Sequence, residues 1–395
     1  MRAQPINFSS RFNQWNLETN RLSLLLEAKK RQNVKILDLT ASNPTTIGLD
    51  YPAGDILRAL TQPQSLQYEP HPRGLLATRQ AVAEYYRRRG APVEPEQIHL
   101  TASTSEAYAF LFKLLADAGQ NMLVPQPSYP LFDFLAGLEG IDLRPYLLVY
   151  QDEWRIDFDA LADTISAQTR AIIWVNPNNP TGSFIKKNEL AQLTQICAEQ
   201  QLALIVDEVF SDYAFAADPN RVGSLVNVSE VLTFAMSGLS KILGLPQMKL
   251  GWIVVNGPEK LRQPAQEYLE LIADTYLSVS TPIQHAAVHW LKLAAPLQEQ
   301  IQRRVRGNLL FLQTQVDAHP ACRLLRAEGG WYAILQSEAF IPEEDLILAL
   351  LEKDNVLVHP GYFFDFNAEG FLIVSLLPQP EIFCEGISRL IKRVT

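Results

Sequence analysis

The sequence predicts an α/β protein with a largely parallel sheet, and three observations carry that expectation. Short β-rich runs alternate with helical patterns up to about residue 265, the rhythm of strands joined by helical crossovers. The strand candidates are IHLT near residue 98, NMLV at 121, AIIWV at 171, LALIV at 202, VLTFAM at 231 and GWIVV at 251. Between them, segments such as AYAFLFKLLADAG and NELAQLTQICAEQQ read as helices. Finally, 395 residues exceed the length at which one hydrophobic core stops growing, and an apolar content of 47% is ample for a large core.

Past residue 265 the pattern turns mainly helical and ends in shorter mixed elements such as NVLVHPG and FLIVSLL. A large domain is therefore drawn at 46–294, with a smaller one assembled from residues 1–45 and 295–395. No internal repeat or low-complexity linker separates them, so close packing is expected.

Charge and composition narrow the function. With 34 basic and 43 acidic residues the net charge is -9, which offers no electrostatic footprint for nucleic acid or an anionic membrane. The basic runs Arg87 to Arg89 and Arg303 to Arg306 read as solvated helix faces. No stretch approaches the 18 apolar residues of a membrane span, and MRAQPINFSSRFNQW lacks the apolar centre of a signal peptide, so a cytoplasmic protein acting on small molecules is expected. Cys197, Cys322 and Cys384 are widely spaced, which suits reduced thiols, with Cys197 a buried structural one. The six histidines form no metal-ligand pair, and no catalytic metal is expected.

Ligands of an open parallel sheet bind beyond the carboxyl ends of its strands, so the residues just past those ends matter most. After IHLT comes ASTSEAY, where Ser103 and Glu106 have capping-box spacing and place a helix start over Ser103 to Ser105. Such a helix end, with unpaired N–H groups and hydroxyl side chains, suits a phosphate; an ordinary capped helix reads equally well from this segment alone. After NMLV comes PQPSYP, a rigid turn presenting Tyr129. After AIIWV comes NPNNPTG, which orients the amide of Asn179. After LALIV come Asp207 and Glu208, buried carboxylates that need a cationic partner. After TFAM comes SGLSK, ending in Lys241 among aliphatic residues. Amine, acid, amide, aromatic plate and phosphate cradle together suit pyridoxal 5'-phosphate: the amine forms a Schiff base with its aldehyde, and the acid keeps its ring nitrogen protonated. Desolvation disfavours the lysine's ammonium, which assists imine formation and lets the freed amine act as a base.

On NNPTG (Asn178 to Gly182), DEVF (Asp207 to Phe210) and SGLSK (Ser237 to Lys241), the chain resembles the class I/II pyridoxal-phosphate aminotransferases of fold type I. QYEPHPRGLLATRQAVAEYY and VHPGYFF support the resemblance, which runs over nearly the whole chain. It implies a mostly parallel seven-stranded sheet flanked by helices, plus a smaller α+β domain from both termini. It further implies that Lys241 forms the Schiff base and shuttles the proton, Asp207 pairs with the pyridinium, Asn179 bonds the ring hydroxyl and Tyr129 stacks on the ring. Thr104, Ser105 and Ser240 would hold the phosphate together with Lys249, and Tyr68 would reach it from the neighbouring subunit of a homodimer. The implied reaction is a ping-pong transfer between an amino acid (or amine) and a 2-keto acid. The alternatives are a lyase or decarboxylase using the same cofactor, or a catalytically degenerate homologue.

Three departures accompany the match. Phe210 stands where the family has a tyrosine that donates to the ring oxygen; its absence is expected to raise the pKa of the imine, with Tyr213 a substitute only if the backbone turns suitably. Lys249 replaces a phosphate-binding arginine, exchanging a planar fork for a point charge. Ile373 aligns with the arginine that grips the substrate's α-carboxylate; Arg21, Arg73 and Lys249 are the alternative cations. Trp331, Tyr332 and Tyr276 either line a substrate pocket or pack in the core, the latter being the more frequent fate of such residues.

Overall fold

The computed structural model describes residues 8–16, 18–337 and 341–394, so the outermost residues assigned to the smaller domain lie outside the described part. Its centre is an eight-stranded sheet. In spatial order the strands are Ile98–Thr101, Gly251–Asn256, Thr233–Gly238, Ala203–Asp207, Thr169–Val175, Asn121–Gln126, Asp142–Gln151 and Glu153–Ile156. Six run in one direction; Gly251–Asn256 and the edge strand Glu153–Ile156 oppose them. The six strand candidates are all present. Asp142–Gln151 was not among them although its YLLVY stretch is apolar; its first half, Asp142 to Pro145, is largely exposed and carries Asp142 and Arg144. Glu153–Ile156, paired to it as a hairpin, is the strand beyond the seven expected.

Alternation along the strands sorts side chains to two covered faces. Ala171, Ile173, Val175, Ala203, Ile205, Phe234, Met236, Ile253 and Val255 pack under the helices Thr104–Leu115 and Glu259–Tyr276. Ile172, Trp174, Leu204, Val206, Ala235, Trp252 and Val254 pack under Leu76–Arg88, Lys187–Gln200 and Thr281–Trp290. Cys197 is buried in this second layer, as its helical setting suggested, and burial pushes its thiol up to about 12. The indole N–H groups of Trp252 and Trp290 are satisfied by Tyr86 Oη and the Ile56 carbonyl, both at 3.0 Å. These two large aromatic side chains fill the layer with their donors paired.

A separate core forms where the helices Ala294–Asp317, Glu343–Asp354 and Pro380–Val394 cover a four-stranded sheet of Cys322–Leu325, Tyr332–Ser337, Phe371–Ser375 and His359–Pro360. The early strand Leu37–Asp38 joins it by parallel pairing with Val356–Leu357. Phe210 and Tyr213, just past the central strand Ala203–Asp207, belong to this core.

The basic runs are only partly the solvated faces expected. Arg87 and Arg88 are exposed and paired with Glu84 on their own helix. Arg89 instead turns inward to Asp212, at 3.3 Å, which also accepts from Tyr85 Oη at 2.7 Å. Likewise Arg304 donates to the carbonyls of Ile47 and Leu377, because a long side chain beside a crowded helix junction can satisfy orphan carbonyls there. Replacing Arg89 with Met leaves Asp212 buried and uncompensated; we expect a loss of about 3 kcal/mol in urea-unfolding free energy. Arg88→Met should change it by no more than about 0.5 kcal/mol.

Candidate active site

The co-directional strands end at one edge of the sheet, and the segments that follow them meet there. The first is the start of the helix Thr104–Leu115. Ser103 Oγ accepts from the Glu106 N–H at 3.1 Å, as its spacing suggested, while the Glu106 carboxylate bonds the Ala102 N–H at 2.6 Å. The hydroxyl-bearing Thr104 and Ser105 open the helix half-buried. Gly251 lies against this end: a Cβ there would stand 3.0 Å from the Ser103 carbonyl carbon and 3.1 Å from the Thr104 nitrogen. Only a glycine lets the two segments approach so closely. Lys249, two residues before it, is exposed and left-handed at φ 49°. On the neighbouring strand the Leu239 N–H bonds the Leu250 carbonyl at 2.9 Å, bringing the turn of Ser240 and Lys241 alongside.

Two proline turns close the next side. The Asn178 amide donates to the Pro127 carbonyl and to Thr181 Oγ1, both at 3.0 Å, tying PQPSYP to NPNNPTG. Gly182, at φ 68°, has the Gly329 carbonyl 2.5 Å from where a Cβ would stand, so the second turn also abuts the segment leading to Trp331. Asn179 is 8% exposed and its Oδ1 has no partner; Tyr129 is 43% exposed.

Asp207 is buried with Oδ1 accepting from the Val209 N–H at 3.0 Å and Oδ2 from Tyr108 Oη at 3.2 Å. Burial raises its carboxyl to about 6, against the opposing pull of these bonds and of Lys241. Burial also lowers the Lys241 amine to about 8, partly offset by Asp207. The Lys241 ammonium lies over the rings of Trp331 and Phe210, 4.9 and 5.3 Å from their centroids. An amine held this way gives up its proton more readily than a surface lysine, which favours its nucleophilic form.

The departures take definite form. Tyr213 does not replace the hydroxyl absent at Phe210, because its Oη donates to the Lys241 carbonyl at 2.5 Å and is committed to the backbone. Ile373 is fully buried, in register with Ile334 and His359 on the strand face that also carries Tyr332. His359 supplies no cation there, since burial lowers its imidazole to about 4. The alternative cations are engaged or remote: Arg21 pairs with Glu344 at the surface, Arg73 with Glu270, and Lys249 is exposed. Trp331 is fully buried and reaches Lys241, so it belongs to the site, whereas Tyr276 lies outside against Phe110 with Lys113 over its ring. Tyr68 is 75% exposed and outside the cluster within one chain. Tyr108 was not singled out from sequence, although it follows Thr104 by four residues and so shares its helix face.

The residues fit pyridoxal 5'-phosphate. Buried polar atoms without partners gather here, among them Asn178 Oδ1, Asn179 Oδ1, Ser128 Oγ, Ser237 Oγ and Trp331 Nε1. A half-buried amine, a buried acid and an open helix start complete the donor set. Fold and cleft together define a pyridoxal-phosphate enzyme of fold type I. The chain belongs to the family "Aminotransferase class I and II", whose model matches residues 34–382. It is 28% identical over 367 residues to the glutamate-pyruvate aminotransferase of Escherichia coli (strain K12), covering 89% of each chain. An alanine aminotransferase of Mycobacterium tuberculosis (strain H37Rv) is 28% identical over 372 residues, covering 90% of this chain and 85% of that one. A solved aminotransferase from Escherichia coli superposes with a TM-score of 0.87 at 26% identity over 98% of both chains. The protein is thus a pyridoxal-phosphate-dependent aminotransferase.

Among the described residues no helix is long and apolar enough to cross a membrane. The cost of burying Lys241 is testable without cofactor. Below pH 8 the amine is charged both folded and unfolded, so the full desolvation penalty applies; above about 10.5 it is neutral in both states and the penalty vanishes. We expect Lys241→Met to raise the unfolding free energy of the apoprotein at pH 7 by on the order of 3 kcal/mol, the gain fading as pH rises from 8 towards 10.5. Denaturant titrations across that range check it.

Proposed function

We propose that this enzyme moves an amino group from an amino acid to a 2-keto acid in two half-reactions, by ping-pong kinetics, with Lys241 as the reacting amine. The supporting observation is the pairing of a half-buried lysine lowered to about 8 with a buried aspartate past neighbouring strand ends. Bound pyridoxal phosphate supplies an aldehyde for an amine to condense with and a ring able to accept an electron pair. Asp207 would pair with the ring nitrogen and hold its proton there. Asn179 meets the ring hydroxyl with the amide oxygen or nitrogen left available, and Tyr129 lies against the ring. Thr104, Ser105 and Ser240 grip the phosphate, with Lys249 adding a point charge from the rim. Lys241, once free, would take the proton from the substrate's α-carbon and deliver it across the shared nitrogen to the cofactor's former aldehyde carbon, its lowered pKa keeping a lone pair available.

The exposed Tyr68 is assigned to the phosphate of a neighbouring subunit, which makes the working form a homodimer with shared sites. The exposed side chains Leu66, Tyr268 and Leu271 offer apolar surface for such an interface. We assign the division into 46–294 and the paired terminal segments 1–45 and 295–395 on the strength of the separate cores. A cytoplasmic location is proposed from the three free cysteines.

The test is to mix the cofactor-loaded protein with a panel of amino acids and follow the absorption of the bound cofactor. Conversion to the pyridoxamine form without added keto acid is the expected result; stoichiometric release of ammonia or CO2 overturns the assignment in favour of a lyase or decarboxylase. Lys241→Ala should abolish turnover, and Asp207→Asn should lower kcat by about 10²-fold or more, since it withdraws a preorganised charge.

A further inference from the structure

Resting on that reading of the site, we propose that the Tyr108 hydroxyl is a positioning group for Asp207, linking the carboxylate that faces the cofactor ring to the helix that receives its phosphate. The geometry is direct. Tyr108 is 3% exposed on the helix Thr104–Leu115, one turn beyond Thr104 and on the same face. Its Oη donates to Asp207 Oδ2 at 3.2 Å, while the Val209 N–H occupies Oδ1 at 3.0 Å. The two donors fix the carboxylate from opposite sides of the strand end. The Tyr108 ring is itself held edge-on by Phe132, with centroids 5.1 Å apart, and tilted against Phe112 at 5.9 Å. The hydroxyl is therefore placed by packing rather than by the carboxylate it serves.

The chemistry follows from which form each group takes. Burial and the adjacent Asp207 hold the Tyr108 phenol protonated well above its ordinary range, so it remains a donor. A donor to the ionised carboxylate favours that form, and only the ionised form can keep a ring nitrogen protonated. The other charged or titratable groups acting on this pair are Lys241 from the following strand's turn, Tyr129 from the proline turn and Glu208 next along the chain. None of these donates a hydrogen bond to Asp207; the direct bonds are those of Val209 and Tyr108. Deleting the hydroxyl therefore moves the carboxyl upward, and the sign of the pH effect is set: the defect is greatest in acid and shrinks as pH rises.

The experiment is Tyr108→Phe, which keeps the ring and removes one oxygen. Pyridoxal phosphate affinity of the apoprotein is measured by absorbance titration at pH 6 and pH 8, and the acid limb of kcat/KM by steady-state kinetics. We expect affinity at pH 6 to fall by about tenfold, affinity at pH 8 to change far less, and the acid limb to move up by roughly one pH unit. In an Asp207→Asn background, Tyr108→Phe should leave the pH dependence of binding unchanged. As a control, Phe110→Leu truncates a buried side chain on the same helix that packs against Tyr276 rather than Tyr108, and should shift melting temperature but not the acid limb. Superimposable pH profiles for Tyr108→Phe and parent overturn the proposal, as does an equal shift in Phe110→Leu, or a Tyr108→Phe chain that fails to fold. If the parent binds no pyridoxal phosphate, the functional reading itself fails, a result distinct from any of these.

Discussion

An ammonium and a carboxylate have been taken out of water at one edge of a single sheet, and the other features of the cleft answer that constraint. Desolvation drives both groups towards neutrality: Asp207 rises to about 6 and Lys241 falls to about 8. Neither value is reached by an isolated surface side chain. Strand ends suit the purpose, because the backbone there is already anchored by ladder bonds and cannot relax to let solvent reach the charge. The Val209 N–H and the Tyr108 hydroxyl then keep the acid oriented, while Lys241 has aromatic faces rather than a carboxylate as its nearest company.

The apolar side of this arrangement is unusually complete. Phe210, Trp331 and Ile373 are all buried. Trp331 stands edge-on to both Phe210 and Tyr213, at 5.3 and 5.1 Å. A tyrosine in place of Phe210 would bring a hydroxyl beside the amine; phenylalanine leaves the amine over an apolar ring. Tyr213 cannot make up the difference, since its hydroxyl caps the carbonyl of Lys241 and so stiffens the turn that carries the lysine. The phenylalanine thus coexists with a tight hold on the backbone that carries Lys241.

Much of the fold was legible in the sequence because the sheet is buried on both faces, which forces continuous apolar runs at 98, 121, 171, 202, 231 and 251. The edge pair Asp142–Gln151 and Glu153–Ile156 went unread although YLLVY is a short apolar run: only part of each strand is buried, and it is the antiparallel pairing of the two that marks them as a hairpin. The polar residues after each strand could be assembled into one site from chain order, since co-directional strands place their ends at a common edge. Arg89 was misread because a run of three arginines looks like a solvated face until a distant Asp212 is brought to the third of them.

By itself the sequence determined the α/β class, the residues at the strand ends and their match to one cofactor, all of which depend on local pattern and spacing. The tertiary structure alone decided what surrounds those residues. It set Trp331 over Lys241, committed Tyr213 to a carbonyl, occupied Arg73 with Glu270 and carried Tyr108 to Asp207 across 99 positions of chain. Such contacts join elements from opposite sides of the sheet, and the free energy that selects them lies in packing and desolvation between segments, which no local stretch of residues encodes.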